Sequence, residues 1–67
     1  MLADLSTLKE GQVVRIISVP NQRLQEMGVR EGIKVEIFRA GNPLILKINS
    51  MKIVVGRSNI LGEVIND

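Results

Sequence analysis

A small antiparallel barrel, mainly β, is the fold class this sequence predicts, with about five short strands and short helical turns. Three observations predict it. Apolar and polar residues alternate with a period of two through residues 33–37 and across residues 44–55, the spacing that puts one face of a strand in a core. Glycine, proline and asparagine clusters separate these runs at short intervals. The composition is 45% hydrophobic and almost wholly aliphatic, with Phe38 the only aromatic residue. That content favours a packed core over disorder.

The size sets a limit on that core. A chain of 67 residues is read as one domain, residues 1–67. At this length folding buries only about 60% of the surface that the unfolded chain exposes. With no cysteine in the sequence, no disulfide adds to that margin.

The elements follow in chain order. In residues 2–11, Leu5 and Leu8 stand at i, i+3, and Ser6 and Thr7 offer local caps. This segment is expected to be a short helical turn or packed lead-in that anchors one end of the core and stops at Gly11. Residues 12–19 are rich in Val and Ile, as strands are. Val14 and Ile16 share a face, and Val19 falls on the other unless a bulge intervenes. Pro20 ends the strand because it has no N–H to give a ladder.

Asn21 is a good N-cap for a helical turn over residues 22–27, in which Leu24 and Met27 share a face and are expected to point inward. Gly28 suits the left-handed residue that ends a helix, and Gly32 suits a turn position with positive φ. Gly11, Gly28 and Gly32 are therefore the structural turn residues. The next strand runs from 33 to about 39, with Ile33, Val35 and Ile37 inward and Lys34, Glu36 and Phe38 on the other face. Ala40-Gly41-Asn42-Pro43 is a turn cluster.

Residues 44–55 read as a hairpin about Asn49-Ser50. That register pairs Ile48 with Met51, Leu46 with Ile53 and Leu44 with Val55 on one face. The other face pairs Ile45 with Val54 and Lys47 with Lys52. Because a slip of one residue exchanges the two faces, the consistency of the pattern argues for the register. Gly56-Arg57-Ser58-Asn59 is a further turn, leading through Ile60 and Leu61 to a last strand around residues 63–65. The core is expected to include Val14, Ile16, Leu24, Val35, Ile37, Leu46, Ile53 and Val55. Strand number and spacing together point to a barrel of the SH3-like kind.

The sequence excludes much chemistry. Without histidine or cysteine it supplies no ordinary transition-metal site and no base for a serine triad. It has no glycine-rich loop ending in Lys-Ser or Lys-Thr, and its carboxylates are scattered. No catalytic, cofactor or metal residues are assigned, and tight ferrous or zinc binding by the monomer is not expected. A formal charge of +2 is a small electrostatic footprint, and one phenylalanine builds neither a base-stacking surface nor a proline-rich-peptide groove. Phe38 is expected to fill the core or an edge. Lys47 and Lys52, with Lys34, form at most a basic patch on a solvated face. No apolar run is long enough to span a membrane, and residues 1–4 do not open a signal peptide. A cytoplasmic protein is expected.

What remains is recognition. Residues 22–32 interrupt a strand meander, and loops on rigid scaffolds are where binding is concentrated. With Leu24 and Met27 turned inward, Arg23, Gln25, Glu26 and Arg30 are left outward as candidate partner-binding residues. Two arginines beside a glutamate suit an acidic or mixed partner surface.

These residues resemble a known family. Leu5-Ser6-Thr7-Leu8-Lys9-Glu10-Gly11, followed by Val14 and Ile16, is similar to the Leu-x-x-Leu-x-x-Gly-x-x-Ala-x-Ile opening of ferrous iron transport protein A, the FeoA family. Arg23-Leu24, Met27-Gly28-Val29 and Gly32 resemble its Arg-Leu-x-x-Leu-Gly-Ile-x-x-Gly signature. Asn42-Pro43 resembles its Asp-Pro turn, and Ile53 and Val55 match its Ile-x-Leu strand. The chain departs from the family at Asn49-Ser50, where a glycine turn is common, and at Glu31, where proline is frequent.

The resemblance implies an SH3-like barrel. It also implies a cytoplasmic accessory role in bacterial ferrous iron uptake, with the membrane GTPase permease, ferrous iron transport protein B, as partner. Transition-metal binding is associated with the family, although no residue here is assigned to it. The alternative reading is a free-standing SH3-like regulatory domain akin to the C-terminal domain of iron-dependent repressors.

Overall fold

The structure, a computed structural model, describes residues 2–56 and 59–66. Six strands form one antiparallel sheet: β1 (Leu2–Asp4), β2 (Val13–Ser18), β3 (Lys34–Arg39), β4 (Leu44–Ile48), β5 (Met51–Val55) and β6 (Leu61–Val64). Their order across the sheet is β1-β6-β2-β3-β4-β5. A five-residue helix, α1 (Gln22–Glu26), lies between β2 and β3, and a 3-10 turn spans Leu5–Thr7. The sheet bends round a single cluster of buried aliphatic side chains, in the manner of an SH3-like barrel.

All eight expected core residues are buried. Leu5, Val19, Val29, Leu44 and Ile60 complete the cluster. Val19 reaches it because the β2–β6 register shifts between Ile16 and Ser18, the bulge that its position in the alternation required. The β4–β5 hairpin pairs in the expected register, from Leu44 opposite Val55 to Ile48 opposite Met51.

The structure corrects several expectations. There are six strands rather than about five, because Leu2–Asp4 adds to the edge of β6. Three residues show no period, so a strand held only by a partner about sixty residues away leaves no local signal. The turn that follows is capped by Asp4, whose Oδ1 accepts from Ser6 N–H at 2.9 Å and from Ser6 Oγ at 2.7 Å. The cap is thus Asp4 rather than Ser6 or Thr7.

The last strand is Leu61–Val64, earlier than expected. Gly62 disguised it, since glycine is a poor strand former. Glycine fits closely there: a Cβ would stand 3.0 Å from Leu5 Cδ2 and 3.1 Å from the Arg15 carbonyl oxygen, so its neighbours would have to give way. Met27, Met51 and Phe38 are exposed rather than inward or core-filling, at 44%, 57% and 41%. At the hairpin tip Met51 therefore leaves the core, while Ile48 across from it stays packed, partly buried, against it. Part of the expected turn at residues 56–59, Arg57 and Ser58, lies outside the described residues.

Candidate functional site

The segment between β2 and β3 is shaped by its ends. Asn21 caps α1, its Oδ1 accepting from Arg23 N–H at 2.8 Å and Leu24 N–H at 3.3 Å. At the other end, Gly28 takes φ +106° and Gly32 φ +90°, conformations open to glycine and strained for other residues. Gly32 N–H then donates to the Ile16 carbonyl at 2.8 Å, and Ile16 N–H donates to the Ile33 carbonyl at 2.9 Å. Gly11, at φ +90°, closes the opposite end of the same β2–β3 ladder, donating to the Ile37 carbonyl at 2.8 Å. The glycines thus frame a rigid pair of strands from which the segment projects.

Within residues 21–32 only Leu24 and Val29 are buried in the core. Val29 N–H donates to the Leu24 carbonyl at 2.9 Å, which turns the chain back under the helix. Everything else is displayed. Gln22, Gln25, Glu26 and Arg30 line one shallow depression of about 300 Å³. Three of the four predicted residues, Gln25, Glu26 and Arg30, are thus brought together. Gln22 joins them unpredicted, because it occupies the first helical position, one turn before Glu26. Arg23 is exposed but lies outside that lining.

Two of these side chains already have work within the fold. Gln25 Nε2 donates to the Val19 carbonyl at 2.6 Å, tying the helix to the end of β2. Arg30 Nε donates to the Gln25 carbonyl at 3.2 Å, satisfying an acceptor at the helix end. One edge of the guanidinium is held, which orders it at little further entropic cost to a partner. Glu26 and Arg23 carry no such tie. The result is a small surface bearing both signs of charge on an ordered backbone. It offers no nucleophile. Among the described residues no three acidic groups lie close enough together to hold a metal ion.

A second depression, about 530 Å³, lies on the other flank of the segment and is lined by both exposed methionines, Met27 and Met51, with Ile33 and Ile48. Sequence reasoning missed it because it had placed Met27 inside. No helix among the described residues is long and apolar enough to cross a membrane.

The FeoA domain model matches residues 3–60. A crystal structure described as that of an iron uptake regulatory protein (FeoA) matches with a TM-score of 0.86, covering 97% of this chain and 99% of that chain at 18% identity. At that identity the likeness is one of fold. The chain has no match among curated protein sequences.

Proposed function

This chain belongs to the FeoA family, the small accessory proteins of ferrous iron uptake, and from that premise we propose that it is a protein–protein adaptor for the membrane GTPase permease of that system. The family match over residues 3–60 carries the reading, because it spans β2 to β5 and the projecting segment alike. The adaptor works from the cytoplasmic side as one domain, and its contact surface is Arg23, Gln25, Glu26 and Arg30. No catalytic step is assigned to it.

The chemistry of that surface supports the choice. Arginine is weakly hydrated and planar, so it can be buried against a carboxylate with two parallel hydrogen bonds. Arg30 is held by its Nε bond to the helix end, while Arg23 is free to adjust. An acidic patch on the partner satisfies both, and Glu26, which lines the depression with Arg30, fixes orientation by rejecting a second carboxylate.

The test is the double change Arg23→Ala, Arg30→Ala, with circular dichroism first showing an unchanged fold. Binding to the purified cytoplasmic GTPase portion of ferrous iron transport protein B is expected to weaken at least tenfold. Undiminished binding removes this surface from the reading.

A further inference from the structure

The sheet has two edges, β1 and β5, and they do not pair with each other. In the β4–β5 hairpin the residues flanking the two-residue turn, Ile48 and Met51, exchange ladder hydrogen bonds, and the exchange recurs at every second pair. Leu46–Ile53 and Leu44–Val55 are therefore bonded pairs. The N–H and C=O groups of Lys52 and Val54 are directed the other way, along an edge with no neighbouring strand among the described residues.

The side chains beside this edge make it more than an unpaired strand. Lys52 and Val54 stand on the outer face of the sheet, and Val54 is 60% exposed, the most exposed large apolar residue of the described chain. Ile45 lies directly opposite Val54, and Phe38 lies beyond it, where the β3–β4 register shifts between Ile37 and Arg39. The Phe38 ring carries Lys52 Nζ at 4.1 Å from its centre. Across three strands the face therefore runs Phe38, Ile45, Val54, and it is bordered by Lys52, by Lys47 opposite it and by Glu36 beyond. Natural sheets commonly blunt an exposed edge with a lysine, but they seldom leave a β-branched apolar residue beside it.

We propose that β5 receives an extended segment of another protein as a seventh strand, and that the segment carries an acidic residue opposite Lys52 and an apolar residue opposite Val54. Alternate residues of a strand share a face, so the recognised pattern is an acidic and an apolar residue two apart. Lys52 and Val54 supply two N–H donors and two C=O acceptors, and these give the backbone affinity of strand addition. The carboxylate meets the Lys52 ammonium, and the apolar side chain extends the Phe38–Ile45–Val54 row.

Charge weighs against a second copy of this chain paired about Ile53, and self-pairing about Val54, which separates the lysines, is told apart by the dimerisation outcome of the test. Antiparallel self-pairing centred on Ile53 would set Lys52 of one copy diagonally beside Lys52 of the other, within reach of long side chains. Lys47, opposite Lys52, adds a like charge on each side. An acidic segment removes that conflict. The surface is separate from Arg23, Gln25, Glu26 and Arg30, so the proposal stands or falls apart from the role assigned to them.

The experiment titrates the 15N-labelled chain with a blocked eight-residue peptide, Thr-Thr-Val-Thr-Glu-Thr-Val-Thr, and with its Glu-to-Lys counterpart. Amide shifts are expected to centre on Lys52 and Val54, whose hydrogen exchange slows at least tenfold at saturation. The lysine peptide is expected to bind at least fivefold more weakly. Val54→Pro removes an outward N–H without touching the β4 ladder and is expected to abolish binding. If that variant does not fold, Val54→Thr, which keeps the backbone and the side-chain shape and adds no charge, removes the apolar contact and is expected to weaken the acidic peptide at least fivefold. Shifts centred elsewhere, equal binding of the two peptides, or concentration-dependent dimerisation through β5 in place of peptide binding would each overturn the proposal.

Discussion

The β4–β5 hairpin and the segment over residues 21–32 are both short excursions from the same sheet, yet they are held by different physics. In the hairpin, Leu44, Leu46, Ile53 and Val55 are buried, and side chains do the fixing. In the segment only Leu24 and Val29 are buried, and the fixing is done by backbone donors and acceptors: the Asn21 cap, the Gln25 and Arg30 ties, and two glycines at positive φ. A region fixed by packing spends its side chains on stability. In the segment the fixing uses Asn21, Gln25 and one edge of Arg30 and leaves Arg23 and Glu26 for a partner, which makes the segment the surface to test.

The sharpest test of the hairpin half is Leu46→Ala. Leu46 is fully buried, opposite Ile53 and beside Ile37. The truncation is expected to cost about 2–5 kcal/mol, as buried leucines do when a cavity remains. Against a total of about 5–15 kcal/mol for a typical domain, that is enough to unfold much of so small a protein. Urea denaturation measures it, and an unchanged midpoint would break the claim that packing holds this region.

Gly32→Ala tests the segment half. An added Cβ meets nothing within 4 Å, so any cost is backbone strain alone. Forcing alanine to φ +90° is expected to cost about 1–3 kcal/mol. Since Gly32 N–H also closes the β2–β3 ladder on Ile16, the loss should appear as faster amide exchange at Gly32 as well as a lower melting temperature. A neutral outcome would mean that the segment is not held by its turn geometry.

The two regions also differ in how much of them could be read from sequence. The hairpin register was legible to the residue, because a period of two over twelve residues has one consistent pairing. The cap at Asn21 and the positive-φ glycines were legible too, since each is a local rule about one backbone position. Out of local reach were contacts made only by folding: β1, a strand because β6 accepts it; Gly62, closely fitted against Leu5 and the Arg15 carbonyl; and Gln25, whose amide finds Val19 across the chain reversal at Pro20. Of the candidate surface, the sequence could say which side chains point outward. It could not say that Arg30 is half-occupied by the helix end or that Arg23 stands apart from the other three.

Asn21→Ala ranks next. Two helix N–H groups lose their acceptor, and N-cap removal costs about 0.5–2 kcal/mol. The helix has only five residues, so the loss should be confined to it. Amide exchange is expected to rise at Arg23 and Leu24 while the β4–β5 amides stay protected. Uniform loss of protection would join the two regions into one cooperative unit and weaken the contrast between them.

The smallest effect is expected at Met27, where the two regions face each other. Met27 follows α1 and Met51 opens β5, and they line the same groove with Ile33 and Ile48 between them. Helical spacing pairs Met27 with Leu24, yet only Leu24 is buried. The helix ends at Glu26, and the turn through Gly28 swings the next residues away before Val29 enters the core. Met27→Gln keeps the length and flexibility of the side chain while removing its apolar end. If the groove is open to water, as an exposure of 44% for Met27 implies, the change should fall within about 0.5 kcal/mol, the range of surface substitutions. Leu24→Gln, one helical turn earlier, buries an unpartnered amide and is expected to cost at least about 1–3 kcal/mol. The difference between the two melting temperatures is the measurement. Equal losses would put Met27 in the core, close the groove between the regions, and make the segment as dependent on packing as the hairpin.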